Sequence, residues 1–242
     1  MRLCGVLSAP PDARLALDIY TATGDVLLRA GTPLTPEHRQ ALLRRGIVCV
    51  VVEDDETQGI PVQPPLSTMV RAQALRTLAR LAAPLEQAQA RGLDPDRAGR
   101  LLPGALSLGE LGETLDRLLQ EVLAEPLPGV TVGAAQGESR LLDHMVETAA
   151  LSVLLGRGLD LPPDELRVLA RGALLHDLGM LLLPKDLREK PGPLTPAERT
   201  LVRHHPAWGW TVLHAAFPDA VRENAIAWQH HERQDGAGYP RG

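Results

Sequence analysis

A histidine and an aspartate stand side by side in Leu174-Leu175-His176-Asp177-Leu178-Gly179, at the end of an apolar, helix-like run. Alone, such a pair is a polar step at the edge of a core. Further histidines change that reading: His144 lies upstream, His205 downstream, and His230-His231 further on. Seven of the eight histidines follow residue 137, which is the strongest compositional signal in the chain. Neutral imidazole with carboxylate is a mixed N/O ligand set that suits first-row metals such as iron, manganese or zinc. Taken singly, each histidine can be a local cap or a satisfied core group. Taken together, at or near helix ends, they point to a metal centre in the core of a helical bundle.

The elements that must position these residues can be traced in order. Ser139 caps a helix predicted to run to Leu155, with Gly156 beyond its end. Leu141, Met145, Ala149 and Val153 form its apolar stripe, and His144 sits one position off it, able to face a pocket. Pro162-Pro163-Asp164 opens the next helix, which runs to His176 and is ended by Gly179. Leu182 to Pro193 reads as loop. Thr195-Pro196-Ala197-Glu198 is a capping box with proline at the first position, so another helix begins there. Pro206 disfavours the helical conformation at His205, which is therefore expected at a break, before a helix over Trp208 to Ala216. Pro218-Asp219 starts a last helix to His231, followed by a glycine-rich loop through Tyr239-Pro240.

Upstream, residues 1–60 read as a small α+β module. Short strand-like stretches are separated by turns at Thr23-Gly24-Asp25 and Ala30-Gly31. Thr35-Pro36 opens a helix to about Arg45, with His38 expected exposed on it, and Ile47 to Val52 is a strand. An acidic edge, Glu53 to Glu56, and a Gly/Pro-rich linker over 57–65 follow. Residues 61–126 form a helical linker region, with amphipathic helices from Ser67 to about Ala90 and from Leu108 to Leu123. Glu125 to Gly137 is a second Pro/Gly-rich break, and 127–242 form the histidine-bearing domain.

Composition agrees with a mainly α chain. Apolar residues make up 44% and aromatics 2%, so the core must be built from Leu, Ala and Val, which favours helix over sheet. The net charge of −5 argues against a nucleic-acid polymer or a membrane surface as partner. No apolar run approaches the roughly 18 residues of a membrane span, and the N-terminus has no signal-peptide pattern. Cys4 and Cys49 form no CxxC site or disulfide framework, so a reducing cytoplasm is expected.

His144 followed by His176-Asp177 resembles the HD superfamily of metal-dependent phosphohydrolases. Three segments make the HD-GYP subgroup the nearest pattern: His176-Asp177-Leu178-Gly179-Met180, Lys190-Pro191-Gly192-Pro193-Leu194-Thr195, and His205-Pro206-Ala207-Trp208-Gly209. The stretch from His230-His231 to Gly238-Tyr239-Pro240 is close to that subgroup's signature loop and is highly specific. The resemblance covers residues 139 to 242. More weakly, Gly24, Leu27-Leu28, Gly31 and Leu34-Thr35 resemble a small domain often found ahead of HD-GYP domains.

The resemblance implies an all-helical domain with a metal centre, often iron, that hydrolyses cyclic di-GMP. It implies His144, His176, Asp177, His205, His230 and His231 as ligands, with Asp177 bridging two ions. It implies that Gly238, Tyr239, Pro240 and Lys190 lie at the substrate, and that the loop can meet a signalling partner. A homodimer is compatible with it.

Three departures accompany the match. Met180 stands where the family's HD-x-G-Lys pattern has lysine, expected near the substrate phosphate. Arg140 stands where some members have a glutamate supporting a third metal, so a binuclear site is expected. The sequence stops at Gly242, where family members continue through several helices, so a C-terminally truncated domain is expected. Two functions therefore stay open, a cyclic di-GMP phosphodiesterase and a degenerate relative that senses the dinucleotide or docks a partner. The Gly238-Tyr239-Pro240 loop argues against a third, an HD phosphohydrolase of ordinary nucleotides.

Overall fold

The computed structural model describes residues 2–53, 55, 65–105, 108–124 and 139–242. Most of the expected linker over 57–65, part of the acidic edge and the whole of the break over 125–137 lie outside the described residues.

The N-terminal part pairs five short strands with one helix. Strands β1 (Arg2–Gly5) and β2 (Arg14–Leu15) both lie antiparallel to β5 (Cys49–Glu53), giving the order β1-β5-β2. Strands β3 (Ile19–Tyr20) and β4 (Val26–Leu28) form a separate hairpin. Its turn needs Gly24 at φ +81°, and the same glycine lies against the backbone of Ala72 and Arg76. Helix α1 (Pro36–Arg44) starts as expected, with the Thr35 hydroxyl accepting from the His38 amide. His38 is half-buried rather than exposed, because its ring turns in to within 2.8 Å of the Pro33 carbonyl. Cys4 is opposite Val50 and Cys49 opposite Gly5, so the alternation of side chains puts the two free thiols on opposite faces of the sheet.

Among the described residues after 65, every regular element is a helix. Helices α2 (Thr68–Ala90), α3 (Pro95–Gly99), α4 (Leu102–Ala105) and α5 (Leu108–Ala124) precede α6 (Arg140–Gly158) and α7 (Pro163–Leu175). A 3-10 helix (Leu178–Leu182) leads to α8 (Lys185–Arg188), α9 (Pro196–Val202), α10 (His205–Ala216) and α11 (Val221–Gln229). Leu75, Leu78 and Leu81 of α2, Leu111 and Leu118 of α5, and Met145 and Val153 of α6 share one buried core with Leu174 and Leu178. Val6, Leu15, Ile19, Leu34, Leu42 and Val50 form a second, smaller core in the N-terminal part. Among the described residues no helix is long and apolar enough to cross a membrane.

The structure corrects several local expectations. Helix α6 continues past Gly156 to Gly158, because that glycine is where Leu161, Leu166 and Leu169 pack closely. Helix α7 ends at Leu175, before Gly179, which lies inside the 3-10 helix. Leu182 to Pro193 is only partly loop, since it contains α8. His205 starts α10, with Pro206 tolerated in the first turn where its missing N–H costs no helical bond. Helix α11 stops at Gln229, leaving His230 as its cap and His231 beyond it.

Candidate metal centre

Four chain segments bring the six expected ligands together. His144 projects from α6, His176 and Asp177 follow the end of α7, His205 opens α10, and His230-His231 follow α11. His176, Asp177 and His205 are buried, His230 and His231 half-buried, and His144 is exposed.

Two glycines allow this convergence. A Cβ on Gly179 would lie 2.5 Å from the Gly209 nitrogen and closer still to the His205 carbonyl oxygen. Only glycine lets the 3-10 helix approach α10 so closely, and that approach sets His205 against His176-Asp177. A Cβ on Gly172 would lie 2.9 Å from Cγ1 of Ile226 and closer to its Cδ1, so α11 can lie on α7 and carry His230 to the same place.

Asp177 is the hub. Its Oδ1 lies 3.2 Å from Nε2 of His205 and 3.4 Å from Nε2 of His230. Its Oδ2 lies 3.3 Å from Nε2 of His176 and 3.8 Å from Nε2 of His144. The donor atoms thus fall into two groups that share Asp177: one with His205, His230 and His231, the other with His144 and His176, each within 4.8 Å.

The imidazoles are aimed by the backbone. Nδ1 of His176 is 2.7 Å from the Ala173 carbonyl, Nδ1 of His205 is 2.7 Å from Val202, and Nδ1 of His230 is 3.0 Å from Ala227. A carbonyl only accepts, so each Nδ1 carries the proton and, in the neutral ring, each Nε2 presents a lone pair. Such a hydrogen bond fixes tautomer and orientation in metal-ligating histidines. Nε2 of His205 and Nε2 of His230 then face each other at 3.1 Å, with Asp177 Oδ1 beside both. With the rings neutral, three acceptors converge, so a proton or a metal ion must sit among them. Ligands bonded at about 2.1 Å to one ion, at angles near 90 to 110°, lie about 3.0 to 3.4 Å apart, so the donors fit a metal.

The electrostatics agree. Burial works to raise the Asp177 pKa, but hydrogen bonds from His176, His205 and His230 outweigh it and hold the carboxyl far below the usual range. Burial and the neighbouring His230 and His205 push His231 down to about 4. Burial, then His176, lowers His144 as well. For His176 burial also acts downward, but the bond to Asp177 prevails and raises it. Metal ligation requires the carboxylate ionised and the rings deprotonated, and the low Asp177 pKa supplies the first of these.

The signature loop folds back over this centre. The Tyr239 amide donates to the His231 carbonyl at 3.1 Å, and the Tyr239 ring stacks on His231 at 4.5 Å between centroids. Gly238 lies against the backbone of His231, Glu232 and Arg233, where any Cβ would collide. Glu232 accepts from the amides of Arg241 and Gly242, which ties down the chain after the half-buried Pro240. Lys190 has a partner of its own. Its ammonium donates to both carboxylate oxygens of Glu198, at 2.8 and 2.6 Å, so its charge is already matched within the capping box of α9. Met180 is half-buried in the 3-10 helix and Arg140 exposed at the start of α6.

Two features escaped the sequence. The orienting carbonyls of Ala173, Val202 and Ala227 leave no side-chain signal, although their spacing, three residues before each histidine, is regular. Arg203, whose guanidinium carbon lies 5.3 Å from the Tyr239 ring centre, had no signal beyond adjacency to the histidines.

A family model described as HD domain matches residues 117–242, about half of the chain. The chain belongs to the HD domain family. This HD domain protein is similar to a cyclic di-GMP phosphodiesterase response regulator of Xanthomonas campestris, 36% identical over 107 residues, covering 44% of this chain and 28% of that protein. It is also similar to a cyclic di-GMP phosphodiesterase of Pseudomonas aeruginosa, 32% identical over 139 residues, covering 57% and 34%. A 3'3'-cGAMP-specific phosphodiesterase of Vibrio cholerae is 36% identical over 99 residues, covering 41% and 21%. The HD protein thus spans between about a fifth and a third of the length of these relatives. No solved structure matches it.

Proposed function

We propose that this chain is the catalytic part of a binuclear metal phosphodiesterase that hydrolyses cyclic di-GMP in second-messenger signalling. One observation carries the proposal: Asp177 offers one oxygen to each of two histidine groups. His205, His230 and His231 would hold one ion and His144 and His176 the other, with Asp177 bridging. Iron is the first candidate, and manganese or zinc suits the same donors. When bound, such a pair supplies charge to the phosphodiester and lowers the pKa of the attacking water. The protein's own part is positional: three backbone carbonyls aim the rings, two glycines set the spacing, and Tyr239 covers His231. The names of the relatives supply the substrate class, a cyclic dinucleotide, and two of the three cited act on cyclic di-GMP.

Several narrower points belong to the same proposal. Residues 1–60 form an input module of the kind found ahead of HD-GYP domains, 61–126 a helical linker region, and 127–242 the catalytic unit. Gly238, Tyr239 and Pro240 meet the substrate and offer the surface for a signalling partner, in a homodimer in the cytoplasm.

The test is metal per chain by elemental analysis after anaerobic purification, with hydrolysis of cyclic di-GMP measured on the same samples. About two ions and turnover are expected, and His176→Ala or Asp177→Ala should lose both together. Normal metal content in either variant would overturn the ligand assignment. Met180 favours a second reading, a dinucleotide sensor, because no cation stands at that position. Tight binding of cyclic di-GMP by the metal-loaded protein without turnover would select it.

A further inference from the structure

Beside the loop, α9 and the residue that caps it carry two arginines, Arg199 and Arg203, that no carboxylate neutralises among the described residues. Arg199 reaches the Leu194 carbonyl, at 3.5 Å, and Arg203 the Tyr239 ring. Several other exposed arginines are matched: Arg222 by Glu165, Arg167 by Asp116, Arg233 by Asp235 and Arg100 by Asp96. With Pro196 and Thr200, Arg199 and Arg203 line a solvent-open cavity of about 270 Å³. The Thr200 hydroxyl is turned back to the Pro196 carbonyl, which leaves the two arginines as the charged residues at the cavity. This is a local positive site on a chain of net charge −5.

The cavity is joined to the metal centre by a continuous contact path. Arg203 lies over Tyr239, and Tyr239 stacks on His231. The cation–π contact holds a guanidinium near the ring without using its five N–H donors, which stay available for a ligand. Guanidinium groups grip phosphate through paired, charge-assisted N–H···O bonds. Their spacing of four residues on one helix presents both to the same anion.

A cyclic dinucleotide has two phosphodiesters, and only one can be at the metals in a given turnover. We propose that Arg203, assisted by Arg199, binds the phosphodiester that is not being cleaved, and so holds the ring of the substrate across Tyr239. The inference rests on the proposed cyclic dinucleotide substrate. It makes Arg203 a residue of substrate selection: a single phosphodiester reaches the metals without it, whereas a cyclic dinucleotide uses both sites.

The experiment is equilibrium binding of cyclic di-GMP to the metal-loaded chain by calorimetry. Wild type is compared with Arg203→Gln, Arg203→Lys and Arg199→Gln, with metal per chain measured on every sample. A Kd raised about tenfold or more in Arg203→Gln, less in Arg203→Lys, with metal at the wild-type level, is expected. The loss should be far smaller for hydrolysis of bis(p-nitrophenyl) phosphate, which has no second phosphodiester. An unchanged Kd, or equal losses on both compounds, would overturn the assignment. Wild type that binds the dinucleotide without cleaving it would sink the phosphodiesterase reading while the Kd series still decides this one. Wild type that cleaves the small diester but does not bind the dinucleotide would overturn this inference and the substrate, leaving the metal centre standing.

Discussion

Gly179→Ala puts a number on the idea that backbone contact sets the metal centre. The added Cβ would start 2.5 Å from the Gly209 nitrogen, against an ordinary contact of 3.4 Å or more, and nearer still to the His205 carbonyl. Both obstacles are backbone, so no side chain can rotate away. The 3-10 helix and α10 must separate by roughly 0.9 Å or more, beyond the roughly 0.5 Å tolerance of a working site. Overpacking of this kind costs about 1–3 kcal/mol, and the backbone obstacles put this case at about 3 kcal/mol. Urea unfolding of the metal-free protein reads that cost, and elemental analysis reads the site. The expected outcome is a lower midpoint together with loss of metal, because His205 moves relative to Asp177. Gly112→Ala is the control: it lies in α5 with open space around it and should gain about 0.5–1 kcal/mol. A Gly179→Ala protein with wild-type midpoint and full metal content would refute the reasoning.

Four further outcomes are expected. Gly172→Ala should destabilise by about 1–3 kcal/mol, and Ile226→Ala in the same chain should recover part of that, since the obstacle there is a side chain; additive losses in a double-mutant cycle would contradict the packing account. Arg71→Ala should cost about 3 kcal/mol by urea unfolding, because it takes the cation from the buried Glu147 carboxylate on α6 and one partner from Asp143; a loss under about 1 kcal/mol would show that Glu147 is hydrated. Met180→Lys should raise turnover of cyclic di-GMP if a cation at that position limits the rate, and unchanged kinetics would show that it does not. In the metal-free protein the His231 resonance should titrate near 4 rather than 6.5. The folded state then holds fewer protons than the unfolded one between those values, so this residue's contribution to stability falls as pH drops through that window. A His231 midpoint at 6.5 would remove the effect.

The clustering of the candidate ligands was legible because metal chemistry is written in side-chain types, and few other roles collect five histidines and an aspartate. Helix starts were legible for the same reason: Thr35, Ser67, Ser139 and Thr195 cap as their side chains require. What failed was glycine and proline. Gly156 and Gly179 read as helix stops, but they are points of close packing, and only the partner surface decides between those uses. Pro206 read as a break, but a proline in the first turn starts a helix equally well. Lys190 read as a substrate contact by resemblance, while Glu198, eight residues on, is its partner. The orienting carbonyls could not be seen at all, since every residue has one.

Those carbonyls have a consequence for how the protein comes apart. Each of His176, His205 and His230 is aimed from its own preceding turn, so the rings are preset before the helices meet. A pair of ions held as proposed then acts as a staple across the chain from His144 to His231. A cross-link closing a loop of roughly that length removes about 4–5 kcal/mol of unfolded-state entropy on the chain-entropy model. Loading and unloading metal would therefore lock or loosen the last six helices as a unit, and the metal supply would set how long the folded state survives.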